Sequence, residues 1–319
     1  GDRHPAHALD RLEPTVFGEE GGAVAAGREQ AQRNGYVYAP GLLDRDKVMR
    51  LQGDIVRLMD GMGWLPSSGG GALRGSFTHV EDASLLPAAV QAGSDPHSWE
   101  IFDAVQKLES FHALAHSAPL VALLDALFGE ATLVHPRHIC RIIFPHSPAL
   151  RTLPHQDWPY VQGTHGVWTC WVPLGDVPAE IGGLAVLRGS HKSGLQPILR
   201  LEDGRSTVST AGVVPGCRWQ TAEYRAGDVL LFNSFTVHQA MENRSRDIRF
   251  SCDFRYQPAT DIVSQRALTP NWDRATWPEV YAGWEDTSLQ YYWERMDITV
   301  DEYDPNLVWF HSTSLEGGY

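Results

Sequence analysis

After residue 130 the chain changes texture, and that change limits its fold more than any other feature. The segments "ATLVHPRHICRIIF", "GVWTCWVPLGDV", "GGLAVLRGS", "GDVLLFNSFTVHQAM" and "DIRFSCDFRYQ" are short and rich in β-branched and aromatic residues. Gly, Pro and Asp separate them. β-branched and aromatic side chains suit a pleated, half-buried surface, while the separators suit turns. Several short strands at this spacing predict a sandwich or barrel of the jelly-roll kind, read here as a double-stranded β-helix (a jelly-roll or cupin-like barrel).

The residues ahead of this region read differently. "AVAAGREQAQRNGYVYAPGLLDRDKVMRLQGDIVRLMDGMG" predicts a short helix, a strand at "YVYAP" and a second helix capped by Asp44. Val48, Leu51, Ile55, Leu58 and Met59 recur at helical spacing and give that helix one apolar face. "GMGWLPSSGGGALRGSF" reads as a loop. "WEIFDAVQKLESFHALAHSAPLVALLDALFG" reads as one or two helices, broken near Pro119 and stopped by Gly129. Helices first and strands later make an α+β chain with the helices packed on one face of a sheet. Residues 1–22 are polar and read as a flexible tail. Residues 23–319 read as a single jelly-roll domain. Its extension, 259–319, holds five of the 11 tryptophans and reads as a cover over the barrel or an interface.

Composition narrows the function. A formal net charge of −13 argues against nucleic acid or an anionic membrane as partner. No stretch approaches about 18 uncharged apolar residues, the length a membrane span needs. The N-terminus lacks the apolar core of a signal peptide. Cys140, Cys170, Cys217 and Cys252 are widely spaced, without the paired pattern of a zinc knuckle. A reducing cytoplasm and a small-molecule substrate fit best.

The chemistry concentrates in "LPHQDWPY". On an extended segment, residues i and i+2 share a face, so His155 and Asp157 point the same way. The pair alone is weak evidence in a chain with 14 histidines. His79-Val80-Glu81 has the same spacing in a loop-like region and reads as solvated surface. Downstream, His238 ends a strand-like run, and Arg249 lies on the next. Two histidines and one carboxylate on one face leave about three positions of an octahedral iron open, as in non-heme Fe(II) oxygenases. A closed zinc site would call for a fourth protein ligand, often sulfur, and no cysteine is placed for it.

These pieces, in this order, resemble the phytanoyl-CoA dioxygenase family of Fe(II)/2-oxoglutarate oxygenases from about residue 35 to 258. "NGYVYAPGLLDRDKVMRL" resembles its opening strand and helix, "HQD" its first motif, and "EIGGLAVLRGSHKSG" its Gly-rich strand and turn. In that turn Arg188 stands where the family often has proline. "GDVLLFNSFTVHQAMENRS" resembles the distal histidine segment. The resemblance implies Fe(II) on His155, Asp157 and His238, with 2-oxoglutarate and O2 as cosubstrates. Arg249, 11 residues after His238, would grip the distal carboxylate of 2-oxoglutarate with two hydrogen bonds. Ser251 would add a hydroxyl, and Trp171 and Gln156 would line the same pocket. Arg141, Trp158 and Tyr160 flank the site in sequence and are candidate substrate contacts.

The resemblance implies oxidation of an unactivated C–H bond, releasing succinate and CO2. Related halogenases lose the carboxylate ligand so that chloride can bind, so Asp157 favours hydroxylation. Desaturation, ring formation and epimerisation stay open. The other reading is a non-catalytic or 2-oxoglutarate-independent cupin-like metal-binding protein, for which Arg249 and Ser251 would have no role. With no strongly basic stretch for a CoA phosphate or a carrier protein, the expected substrate is a small or medium organic molecule with apolar surface, such as a natural-product intermediate.

Overall fold

The computed structural model describes residues 9–17, 21–65, 73–74, 77–79, 98–145, 151–307 and 312–313. Two antiparallel-rich sheets face each other without closing into a barrel. The larger runs Tyr36–Ala39, Val229–Asn233, Trp168–Pro173 and then the long strand Asp247–Pro258. Thr132–Val134 and Ile139–Ile143 pair with the far edge of that strand. The smaller sheet holds Arg218–Thr221, Leu184–Arg188 and His238–Ala240. This is the jelly-roll α+β architecture expected from the sequence.

Strand periodicity decides what each face carries. On Asp247–Pro258, Phe250, Cys252, Phe254 and Tyr256 enter a core shared with the helices. Arg249, Ser251, Asp253, Arg255 and Gln257 alternate with them onto the opposite face, all buried. On Trp168–Pro173, Cys170 and Val172 join the helix-side core, and Trp171 joins a second core between the sheets. One face of the large sheet is therefore an apolar seat for helices. The other is a buried polar surface whose groups must find partners.

The helices behave as their sequences dictate. Asp44 caps Arg45–Gly61 by accepting from the Lys47 amide at 3.0 Å. Val48, Leu51, Ile55 and Met59 of that helix are buried. The stretch expected as one or two helices forms three, Ser98–Gln106, Glu109–Ala115 and Ala118–Phe128, the last ending at Gly129 in the left-handed region. Glu109–Phe128 has the length and apolarity to cross a membrane. It breaks at residues 116–117, however, and buries Phe111, Leu114, Leu120 and Leu124 in the core.

Two sequence expectations need correction. The tail expected to be flexible to residue 22 docks from Asp10, because Asp10–Arg11 pairs with Gln220–Thr221 and buries Leu12. The region expected to be loop contains Leu73–Arg74 and Phe77–His79, and His79 pairs in register with Asp247. The backbone hydrogen bonds open at the edge of the long strand supplied a partner that composition did not reveal. Val80 and Glu81 lie outside the described residues. The short strands Ile198–Arg200 and Ser206–Val208 were also not legible in the sequence.

The tryptophan-rich extension packs on Leu133 in one cluster with Val263, Trp277, Tyr281 and Trp293. Beneath it lie buried histidines. His138 has no partner at either ring nitrogen among the described residues, and His112 stacks on it at 4.9 Å. Burial pushes His112 and His135 each down to about 4. Protonation therefore favours the unfolded chain. The stability from neutral burial is full above about pH 6.5 and is lost as pH falls towards 4, up to about 3 kcal/mol per histidine. Thermal unfolding of the metal-free protein should be level from neutral pH to about 6.5 and then decline. His138→Leu, which removes both orphaned nitrogens, should flatten the decline; a slope equal to wild type would contradict this account.

Candidate active site

The site begins at a single β-bridge. His155 and His238 exchange backbone hydrogen bonds, each amide donating to the other's carbonyl at 3.0 Å. Their imidazoles end 4.0 Å apart, centroid to centroid. Asp157 arrives differently from the extended geometry expected. It sits in helical conformation at the start of the turn Trp158–Val161, with its amide and that of Trp158 both donating to the Ser234 carbonyl. A bridge followed by a helical turn, rather than strand alternation, brings the carboxylate beside the two rings.

The donor atoms of His155, Asp157 and His238 lie within 4.8 Å of one another, a set that could hold a metal ion. Neighbouring groups fix each donor's chemistry. Nδ1 of His155 is 2.9 Å from the Leu153 carbonyl, and Nδ1 of His238 is 3.0 Å from that of Thr236. A carbonyl only accepts, so each Nδ1 carries a proton, and Nε2, the nitrogen facing Asp157, is the one able to bind a metal. Asp157 divides its oxygens. Oδ2 accepts from Thr169 Oγ1 at 2.6 Å and from Arg255 at 3.4 Å. Oδ1 faces the imidazoles, 3.6 Å from His155 and 3.8 Å from His238. Burial opposes ionisation of Asp157, but Arg255 and the two histidines hold it well below the usual carboxylate range. Burial, reinforced by His155, pushes His238 down to about 3. A carboxylate beside a neutral His238 imidazole suits a divalent cation.

Thr169 and Arg255 were not singled out as supports from the sequence. The register pairs the two across adjacent strands, directly beneath Asp157.

Beside the triad lies a narrow cavity lined by Trp171, Leu184, Phe232 and Arg249. Arg249 is 1% exposed. Its Nη1 donates to the Gly182 and Gly183 carbonyls at 2.5 and 3.3 Å. Its Nε and Nη2, the hydroxyl of Ser251 and Nε1 of Trp171 are buried with no partner among the described residues. Burial pushes the guanidinium down to about 10, so it remains charged at neutral pH. The two glycines set its position. A Cβ on Gly182, at φ +74°, would lie 2.3 Å from the Glu242 carbonyl, and one on Gly183 would lie 2.6 Å from the Tyr224 ring.

Other expected site residues are placed elsewhere. Gln156 uses its amide on the loops, donating to the Gly194 and Phe235 carbonyls and accepting from the Gln196 amide. It does not line the Arg249 cavity. Trp158 stacks on Phe235 at 5.4 Å and lines neither cavity by the triad. Arg141 and Tyr160 line a larger cavity adjoining His155 and Asp157. Arg141 is ion-paired to Asp253 at 2.6 Å. His135 lines the same cavity.

Residues 31–251 match the model of the family described as phytanoyl-CoA dioxygenase (PhyH). The chain belongs to that family. As a phytanoyl-CoA dioxygenase family member it is a non-heme iron, 2-oxoglutarate-dependent dioxygenase, working with Fe(II), 2-oxoglutarate and O2. Among its relatives, the 1-deoxypentalenic acid 11-beta-hydroxylase of Streptomyces arenae is 28% identical over 265 residues, covering 77% of this chain and 83% of that one. The enzyme of the same name from Streptomyces exfoliatus is 27% identical with the same coverage. In fold, the chain is similar to the epimerase SnoN of nogalamycin biosynthesis, solved with Fe3+, alpha ketoglutarate and nogalamycin RO. The TM-score is 0.52 at 22% identity, covering 76% of this chain and 87% of that one.

Proposed function

We propose that His155, Asp157 and His238 are the iron ligands and that Arg249 binds the distal carboxylate of 2-oxoglutarate. We further propose that the enzyme hydroxylates an unactivated C–H bond of a small or medium organic molecule, of the kind found as natural-product intermediates. The observation that carries this reading is the buried guanidinium of Arg249, its Nε and Nη2 unpartnered among the described residues, in the cavity that the triad also lines. A buried cation without a counter-ion is costly, and a dicarboxylate reaching from the metal to Arg249 removes that cost. Ser251 and Trp171 each hold a spare donor on the same buried region, which suits an oxygen-rich cosubstrate.

When bound, iron with 2-oxoglutarate and O2 supplies the oxidising chemistry, with succinate and CO2 as coproducts. The chain's residues orient it. The carbonyls of Leu153 and Thr236 fix the two imidazoles, and Thr169 and Arg255 fix Asp157, so one side of the metal position stays open to the cavity. A retained carboxylate ligand supports hydroxylation over halogenation, as do relatives named as hydroxylases. Tyr160 and Arg141 are the proposed substrate contacts among the residues first singled out. Cys140 and Cys252 face each other in register as free, buried thiols, which supports a reducing, cytoplasmic setting.

A cupin-like protein that does not use 2-oxoglutarate would have no use for a buried, unpaired arginine. Anaerobic addition of Fe(II) and then 2-oxoglutarate separates the two readings. The expected result is a weak visible absorption band that requires both, followed by succinate release on admitting O2. Metal binding without any 2-oxoglutarate-dependent band would overturn the proposal.

A further inference from the structure

The larger cavity by the triad has a charge that the composition conceals. Its volume is about 370 Å³, and six arginines line it: Arg137, Arg141, Arg151, Arg205, Arg255 and Arg266. Asp157 is the one carboxylate among the described lining residues. In a chain of net charge −13 this is a local inversion of sign.

The six are not equivalent. Arg141, Arg205 and Arg255 are paired to Asp253, Asp203 and Asp157 at 2.6, 2.7 and 3.4 Å. Arg151 is held by neutral acceptors, the Ala240 carbonyl and Gln239 Oε1. Arg137 and Arg266 lie within electrostatic reach of each other. Arg137 is fixed through Nη1 alone, which donates to the Pro270 carbonyl at 2.7 Å and to Thr269 Oγ1 at 2.9 Å. Its Nε and Nη2 make no hydrogen bond among the described residues. Its nearest carboxylate, Asp273 at 3.3 Å, is 60% exposed and so neutralises it weakly. Arg266 makes no ion pair among the described residues. Its guanidinium lies 4.5 Å from the centre of the Tyr303 ring, a contact that orients the charge without cancelling it.

Two underneutralised guanidiniums on one wall repel each other until an anion joins them. The rest of the lining includes Ile139, Leu153, Val161 and Ala267, which suit an apolar body. We propose that the substrate is a compact, largely apolar organic carboxylate, its carboxylate held by Arg137 and Arg266 and its body reaching towards His155 and Asp157. This rests on the triad being the iron site, which identifies the reacting end. The fixed carboxylate then selects which C–H bond is presented, so Arg137 and Arg266 are specificity-determining residues.

The test compares 1-adamantanecarboxylate with 1-adamantanecarboxamide, which have the same shape and differ in charge. Calorimetry uses the full chain loaded anaerobically with Fe(II) and 2-oxoglutarate, so that Arg249 is already occupied. The acid should bind at least about tenfold more tightly than the amide, as a charge-assisted pair implies. Added salt should erode that preference. Arg266→Gln should remove it and Arg266→Lys should restore most of it. Equal affinities, or no binding of either at millimolar concentration, would overturn the proposal. The same sample reports separately on the iron site. If the Fe(II)- and 2-oxoglutarate-dependent band is missing while the preference depends on Arg266, the anion anchor stands and the assignment of the iron site falls.

Discussion

Asp157→Ala is expected to cut 2-oxoglutarate turnover on the order of a thousandfold or more, the largest effect of any substitution considered for this chain. Two losses combine. The metal position loses its only anionic donor, leaving two neutral imidazoles to hold a dication. Arg255, buried and 3.4 Å from Asp157, also loses its counter-ion and then stands as a bare cation beside the metal position. Removing one partner of a buried pair costs about 3–5 kcal/mol, so the variant should also unfold at lower temperature. Asp157→Asn separates the two effects. It keeps the acceptor for Thr169 and the shape of the side chain while removing the charge, so it should fold more nearly like wild type yet remain almost inactive. Succinate formation by either variant at the wild-type rate would remove Asp157 from the iron site.

Arg249→Ala should raise the KM for 2-oxoglutarate by roughly two orders of magnitude, the scale of losing a buried, charge-assisted anchor. Its effect on the protein without cosubstrate should run the other way. In the wild type the guanidinium is buried with Nε and Nη2 unpartnered among the described residues, so removing it relieves a desolvation cost. 2-Oxoglutarate should raise the unfolding temperature of the wild type in the presence of a divalent metal and leave that of Arg249→Ala nearly unchanged. Arg249→Lys should recover part of the affinity but not all, because one ammonium cannot reproduce a two-pronged grip. A wild-type KM in Arg249→Ala would place the cosubstrate's anchor elsewhere.

The sequence carried much of this because the relevant signals are local. Asp44 as a cap, Gly129 as a stop, and the strands at 168–173, 184–188 and 247–258 follow from residue type and spacing within short windows. The histidines and carboxylate were readable as an ordered set, and Arg249 by its place on the following strand. Thr169 and Arg255 were not assigned to Asp157 because they meet it only through the pairing of two strands far apart in sequence, Trp168–Pro173 and Asp247–Pro258. Gln156 shows the reverse. Its neighbours in sequence both belong to the triad, yet its side chain turns to bind the loops at 194–196 and 235.

By itself, then, the sequence determined the fold class, the order of the motifs, and the pairing of a two-histidine, one-carboxylate set with a downstream arginine. These rest on period, turn chemistry and residue type, which short-range sterics and burial enforce. Only the tertiary structure decided which charges meet. The arginines of the larger cavity come from separate segments between residues 137 and 266, and no stretch of the sequence is notably basic. Their convergence inside an acidic protein depends on long-range packing, because electrostatic interaction follows distance in space, and distance along the chain does not report it.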